Sequence, residues 1–296
     1  MRKYILTVTL NPALDKMVDL QGEEIFSAGG KGINVSRTLR GLKIPTIATG
    51  ILGGDTGRAM RRILKKENLP HDFIFIKNET RVNVTNNSTR LMGIGPSVTG
   101  RDLLSFEKKF KMLLKKADVV TINGRNAEGA PVDYYRRLLH LAKKQNILTA
   151  LDASGIAFHE ALKARPFLIK PNLLEAQQAL GMTINSLRDI KKALAAFQKK
   201  GIAVTLISLA ERGAAAIFKE EFWYCRVPKV TIKNEVGCGD AFLGGFLCAF
   251  QRQQPFAQAL QFAAACGTCN GQSRIPGKIN ESDVKKLISK VRLKKL

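Results

Sequence analysis

The chain has 296 residues, 45% hydrophobic and 24% charged, enough for one large core and a composition that excludes long disordered tracts. Lysine and arginine number 48 against 24 aspartate and glutamate, a formal net charge of +24, which attracts anionic ligands at long range. The excess is dispersed: its local maxima, Lys108 to Lys116 and Lys285 to Lys295, alternate with apolar residues at helical spacing, so solvated helix faces are expected and a nucleic-acid groove is disfavoured. Five unevenly spaced cysteines without a secretory leader pattern fit a reduced, cytoplasmic location. No apolar run approaches the roughly 18 residues that span a bilayer.

In chain order, Tyr4 to Leu10 is a β-rich run ending at Asn11-Pro12-Ala13-Leu14-Asp15. Asp15 is thereby expected at the carboxyl end of a strand, where open α/β sheets take their ligands. Ser27-Ala28-Gly29-Gly30-Lys31-Gly32-Ile33-Asn34 then leads into helical periodicity through Leu39 and Leu42. Its glycines allow close backbone approach to a polar ligand, Lys31 brings a mobile charge, and Asn34 is both donor and acceptor. The spacing is not that of a Walker A loop, and no G-x-G-x-x-G follows the first strand, so a dinucleotide fold is disfavoured.

Thr46 to Leu52 reads as a strand, Gly57 to Glu67 as a helix, and Phe73 to Ile76 and Arg81 to Thr85 as strands, with Arg81 and Asn83 on alternating positions of one face. Leu103 to Lys116 is an amphipathic helix, Val119 to Asn123 a buried strand, Val132 to Gln145 a helix and Leu148 to Ala153 a strand that Asp152 closes. Alternating β and α segments imply a parallel sheet flanked by helices. Phe167 to Ile169 then passes through Lys170-Pro171-Asn172 into a helix, with Glu175 three residues after Asn172. That spacing makes either a capping box or an amide and carboxylate able to hold the waters of a hydrated Mg2+. Val204 to Ser208 is a strand and Glu211-Arg212-Gly213 a turn. Small-residue-rich helices follow at Phe242 to Phe250 and Pro255 to Asn270. Cys266-Gly267-Thr268-Cys269 has no second cysteine pair and no histidine at metal spacing, so core packing is its expected role.

Gly237-Cys238-Gly239-Asp240 is the stretch around which the rest is organised. Taken alone it reads as a helix N-cap. Its glycines can also turn successive N–H groups toward one point ahead of a helix, which favours an anion, and a carboxylate beside that point can take a proton from an attacking hydroxyl.

Gly29-Gly30-Lys31-Gly32-x-Asn34, Lys170-Pro171-Asn172-x-x-Glu175 and Gly237-Cys238-Gly239-Asp240, in this order, resemble the ribokinase-like (PfkB-type) carbohydrate kinases. Thr9-Leu10-Asn11-Pro12-Ala13-Leu14-Asp15 and Thr80-Arg81-Val82-Asn83 are similar to the sugar-phosphate branch, which includes 1-phosphofructokinases and tagatose-6-phosphate kinases. Resemblance runs the whole chain and implies one domain over residues 1–296. The implied fold is a ribokinase-like three-layer α/β sandwich with a mostly parallel central sheet, helices on both faces and a small, shortened β lid within about 16–28 and 80–95. It further implies ATP as donor, Mg2+ as cofactor, a monovalent cation as an open question, and a ketohexose phosphate as acceptor, fructose 1-phosphate before tagatose 6-phosphate or fructose 6-phosphate. Asp240 would be the base and Gly237, Cys238 and Gly239 the anion hole. Asp15, Gly29, Gly30, Lys31, Asn34, Arg81 and Asn83 would bind the sugar phosphate, with Arg125 as a compensating phosphate contact where the loop at 122–129 departs from the family pattern. Lys170, Asn172, Glu175, Ser208 and Gly213 would serve Mg-ATP, Glu175 through water. Ala210 replaces the family's usual glycine and would be strained if that position needs a positive φ. A kinase of an unphosphorylated sugar or nucleoside, or an inactive binding protein, are the competing readings. Pairing of lids into a homodimer is left open.

Overall fold

The computed structural model describes residues 3–18, 22–86 and 89–296. The first half of the chain contributes β1 (Tyr4–Thr9), β2 (Ala13–Val18), β3 (Glu24–Gly29), α1 (Lys31–Gly41), β4 (Thr46–Gly53), α2 (Gly54–Lys66), β5 (Ile74–Ile76), β6 (Arg81–Asn86), β7 (Thr89–Leu91), α3 (Gly100–Leu114), β8 (Ala117–Gly124) and α4 (Tyr134–Lys143). The second half adds β9 (Leu148–Ala153), α5 (Gly155–Leu162), β10 (Leu168–Ile169), α6 (Leu173–Leu180), α7 (Leu187–Lys199), β11 (Val204–Ser208), β12 (Ala214–Phe218), β13 (Glu221–Arg226), α8 (Cys238–Gln251), α9 (Phe256–Gly271), α10 (Glu281–Ile288) and β14 (Arg292–Lys295).

Ten strands form one sheet in the order β14-β13-β12-β11-β10-β9-β8-β1-β4-β5. It is parallel from β5 to β11 and antiparallel from β11 to β14. Apolar residues on both faces of each inner strand account for the three layers, since strands covered by helices on each side read as continuous hydrophobic runs. On one face Leu6, Val8, Val120, Ile122 and Leu151 pack with Phe106 and Phe110 of α3, Tyr134 and Tyr135 of α4, and Phe197 of α7. On the other, Ile5, Val119, Ala150 and Leu206 pack with Leu39 of α1, Phe246 of α8, Leu260 of α9 and Val284 of α10. Antiparallel edge strands close the sheet past β11: tight reversals join β11 to β12 and β12 to β13, whereas the chain passes through α8, α9 and α10 before β14 pairs with β13.

A second sheet, β3-β2-β6-β7, stands apart from the first as a lid, and Leu14 and Ala28 seat it on Ile33, Met60 and Leu64. Its first strand begins at Ala13, three residues before the expected 16–28 segment, while β6 and β7 lie within 80–95. Asp15 consequently lies inside β2 of the lid, paired in register with Ser27 and Asn83, and not at the end of a central strand. Asn11-Pro12 marks the passage from one sheet to the other. Parts of the two lid segments, residues 19–21 and 87–88, lie outside the described residues. A second correction concerns Lys285 to Lys295: α10 stops at Ile288, and Arg292–Lys295 is a strand paired with β13. From Val291 the apolar residues alternate with cations, Val291 and Leu293 inward and Arg292 and Lys294 outward, a period of two that suits a sheet edge.

Candidate active site

The carboxyl ends of the parallel strands converge with the start of α8. Gly237, the residue before that helix, has φ 86°, a left-handed conformation open to glycine at no steric penalty, and it turns the chain so that the helix begins at Cys238. Asp240 in the first turn is 6% exposed, and its Oδ2 accepts a 2.8 Å hydrogen bond from Asn34 Nδ2 on α1. Burial pushes the Asp240 carboxyl up to about 6, with the Asp152 carboxylate adding to the rise and Lys31, the Asn34 hydrogen bond and Lys170 opposing it. The Cys238 thiol accepts from Asn270 Nδ2 at 3.4 Å; burial raises its pKa and keeps it neutral.

Two lysines meet one aspartate beside this helix start. Asp152, fully buried at the end of β9, lies 2.8 Å from Lys31 Nζ and 3.2 Å from Lys170 Nζ. Burial raises the Asp152 carboxyl, but Lys170 and Lys31 outweigh it and hold it below the usual carboxylate range. Burial likewise works against the Lys31 ammonium, and Asp152, Asp240 and Glu175 together hold its pKa above the ordinary value. Lys170 Nζ is 3.3 Å from where a Cβ on Gly239 would sit, so a side chain there would press on the ammonium. The result is a cluster of two cations and two carboxylates, buried except for the partly exposed Lys31, at the N-terminus of a helix, where the macrodipole adds positive potential.

The lid gathers a second group. Asn83 Nδ2 donates to Asp15 Oδ1 at 2.7 Å, and Arg81 donates through Nη1 to Asn83 Oδ1 (3.2 Å) and through Nη2 to the Asn11 carbonyl (3.1 Å). Gly29 is packed so closely on the Asp15 carboxylate that any Cβ there would collide with it. Gly30 precedes α1 and Lys31 opens it. The sequence-derived sugar-phosphate residues Asp15, Gly29, Gly30, Arg81 and Asn83 thus share one corner, and Lys31 and Asn34 link it to Asp240. Arg125, by contrast, follows β8 on an exposed loop held by the Tyr135 hydroxyl on its carbonyl at 2.8 Å. Among the described residues its guanidinium has no hydrogen bond to the other candidates.

On the opposite side of the glycine turn, a cavity of about 870 Å3 is lined by Asn172, Ser208, Gly213, Cys238, Gly239 and an apolar wall including Leu209, Val227, Val230 and Phe242. Its size and mixture of apolar walls with a few polar groups suit a nucleotide-sized ligand. Asn172 and Glu175 form the capping box of α6: Asn172 Oδ1 accepts from Glu175 N and Glu175 Oε2 accepts from Asn172 N, both at 2.8 Å. The capping alternative is therefore realised, and one Glu175 oxygen is occupied by it. Ala210 has φ 53° in the short 3-10 turn Ala210–Arg212 at the cavity edge, so the position does require the left-handed region. No group of three or more His, Cys, Asp or Glu suited to hold a metal occurs among the described residues. Cys266 and Cys269 are buried free thiols on α9, as core packing requires.

Two contributors were under-read in the sequence. Asp152 was recognisable as a strand-ending acid, but not as the shared counter-ion of lysines 121 and 18 residues away. Arg37, which also contacts Asn34, looks like any charged residue of an amphipathic helix.

Comparison with known proteins shows the family. The model of the pfkB family carbohydrate kinases matches residues 5–281, and the chain belongs to that family; it is a phosphotransferase acting on an alcohol group. It is 32% identical to 1-phosphofructokinase of Bacillus subtilis (strain 168) over 305 residues, covering 99% of this chain and 100% of the relative. Among solved structures, a possible 1-phosphofructokinase of Thermotoga maritima superposes with a TM-score of 0.90 at 25% identity, covering 99% of each chain. Phosphofructokinase-2 of Escherichia coli in complex with potassium shares the fold with a TM-score of 0.88 at 23% identity, over 97% of this chain and 98% of that one. No helix among the described residues is long and apolar enough to cross a membrane.

Proposed function

We propose that this chain transfers the γ-phosphoryl group of ATP to a free hydroxyl of a ketohexose phosphate, with fructose 1-phosphate giving fructose 1,6-bisphosphate as the foremost substrate. The observation that carries the reading is Asp240, buried, ionised at neutral pH and fixed by Asn34 at the start of α8, between the lid cluster on one side and the nucleotide-sized cavity on the other. The full-length likeness to a 1-phosphofructokinase supports that choice of substrate.

In this reading Arg81, held by Asn83 of the lid and by the Asn11 carbonyl, grips the phosphate the sugar already carries, while Asp15 and Asn83 receive its hydroxyls. Asp240 takes the proton of the attacking hydroxyl as the oxygen–phosphorus bond forms and the bond to ADP breaks. A base with a pKa near 6 is free at pH 7 yet basic enough to accept the proton. The N–H groups of the 237–239 turn, the helix dipole, Lys31 and Lys170 stabilise the charge that spreads over the transferring group; positioning and electrostatics of this kind suffice for phosphoryl transfer.

With one Glu175 oxygen in the capping box and no group of three or more His, Cys, Asp or Glu suited to a metal among the described residues, the residues fit a hydrated Mg2+ carried by the nucleotide and reached through water by Asn172 and Glu175. Bound Mg2+ would neutralise charge on the triphosphate. Five free thiols agree with a reduced, cytoplasmic setting.

The test is ADP release with Mg-ATP, with and without potassium, across fructose 1-phosphate, fructose 6-phosphate, tagatose 6-phosphate, fructose and adenosine. Fructose 1-phosphate is expected to give the highest kcat/KM. Preference for an unphosphorylated acceptor would overturn the sugar-phosphate assignment.

A further inference from the structure

Behind Asp240 lies a buried cation that the transfer itself does not touch. Arg37 stands on α1 one turn after Asn34 and is 6% exposed. Its Nη1 donates to Asn34 Oδ1 (3.0 Å) and the Pro276 carbonyl (3.2 Å), its Nη2 to the Ala28 carbonyl (2.6 Å) and Glu67 Oε1 (3.2 Å), and its Nε to Glu67 Oε2 (2.7 Å). These partners come from separate places. Ala28 precedes the sugar-side turn Gly29-Gly30, and Glu67 caps the end of α2. Pro276 lies against the catalytic turn, its Cβ 2.9 Å from where a Cβ on Gly237 would be.

A guanidinium has donors only. The amide that faces it must therefore present oxygen, which turns its NH2 to the other side, and on that side Asp240 Oδ2 waits at 2.8 Å. We propose that Arg37 is a positioning residue for phosphoryl transfer: it fixes the orientation of the Asn34 amide so that Asp240 meets a donor and stays a proton acceptor, and it ties the sugar-side strand to the catalytic turn. The inference rests on the reading of Asp240 as base.

The charged and titratable groups acting on Asp240 are Asp152 from β9, Lys31 from α1, Lys170 after β10 and the Cys238 thiol on its own helix. None of them can replace a directed hydrogen bond from the amide. Without Arg37 the Asn34 side chain can rotate and offer Oδ1, which accepts from a protonated carboxyl and repels an ionised one. Asp240 would then hold its proton to higher pH.

The experiment follows the Asp240 carboxyl carbon by NMR titration of the full-length, substrate-free protein, assigned by difference from Asp240→Asn, beside the pH profile of kcat/KM. In Arg37→Met the Asp240 midpoint and the acid limb are expected to rise together by roughly one pH unit, the scale of a lost charge-assisted hydrogen bond. Arg37→Lys, still a pure donor, should titrate close to the parent. Glu67→Gln, which removes the ion pair but leaves the bond to Asn34, should lower Tm without moving the midpoint. If Arg37→Met does not fold, Arg37→Gln takes its place with the same expectation, since an amide no longer dictates the orientation of its neighbour. A folded Met or Gln variant whose Asp240 titrates as in the parent overturns the proposal and reduces Arg37 to a structural tie. Wild-type turnover by Asp240→Asn would instead remove the base assignment, and the NMR midpoint would still decide whether Arg37 orients Asn34.

Discussion

At the scale of single residues, Asp240, the proposed base, is expected to favour function at the expense of stability. Its carboxyl titrates at about 6 in the folded chain against an ordinary 3.8. Between those values the folded state holds more protons than the unfolded one, so stability falls as pH rises through this window and the deficit is complete above about pH 6. Asp240→Asn should therefore lower kcat by roughly 10^2- to 10^4-fold, the range of general-base contributions, with the Kd for ATP little changed. The same variant should be more stable than the parent at pH 8, by on the order of 1 to 3 kcal/mol, and the gain should vanish near pH 4, as thermal unfolding at both pH values would reveal. Loss of activity without any gain in stability at pH 8 would contradict the raised carboxyl.

Asp152 behaves in the opposite sense. Although burial disfavours its charge, Lys170 and Lys31 hold its carboxyl below the ordinary value, so the stability it contributes is present at neutral pH and lost as pH falls below about 4. Asp152→Asn leaves two ammonium groups facing each other across the site and should destabilise the fold by about 3 to 5 kcal/mol at pH 7, read by urea unfolding.

Among the structural elements, the Ala210–Arg212 turn and the lid decide what the sequence could and could not reveal. Ala210 with φ 53° departs from the conformations an alanine prefers, at about 1 to 2 kcal/mol, and replacement by glycine gives back part of that gain through the greater freedom of the unfolded chain. Ala210→Gly is expected to raise unfolding free energy by roughly 0.5 to 1 kcal/mol, measured at equilibrium in urea. The strain was legible only through the resemblance, whose usual glycine at this position raised the prospect of a positive φ. The parallel strands were legible in the residues themselves, since their apolar runs and intervening amphipathic helices carry the period directly. The antiparallel strands β12 to β14 were less so, since short half-covered strands at a sheet edge carry a weak pattern. The start of β2 was hidden by Asn11-Pro12, which resembles a strand end and is a passage between sheets. The ion pairs of Asp152 and the grip of Arg37 on Asn34 depend on which loops meet in space. Local spacing holds no record of that.

For the molecule as a whole, a net charge of +24 surrounds a site proposed to bind two anionic substrates. Screening by salt should raise KM for the sugar phosphate several-fold between about 0.05 and 0.5 M ionic strength at constant potassium, with a smaller effect on kcat, because the Debye length over which the attraction acts shrinks from roughly 14 Å to about 4 Å across this range. A KM indifferent to salt would assign the excess charge to another task, solubility included.

The hydrogen bond from Asn34 to Asp240 spans 206 positions in the chain, and the contact of Arg37 with Pro276 spans 239. Neither can form until nearly the whole polypeptide is available, and closing loops of that length is a late and slow event in folding. A partly refolded chain can thus acquire its helices and inner strands while the proposed proton acceptor still lacks its partner. Catalytic competence becomes a signal of completed folding. In refolding from urea, ADP release is expected to lag behind the recovery of helical circular dichroism.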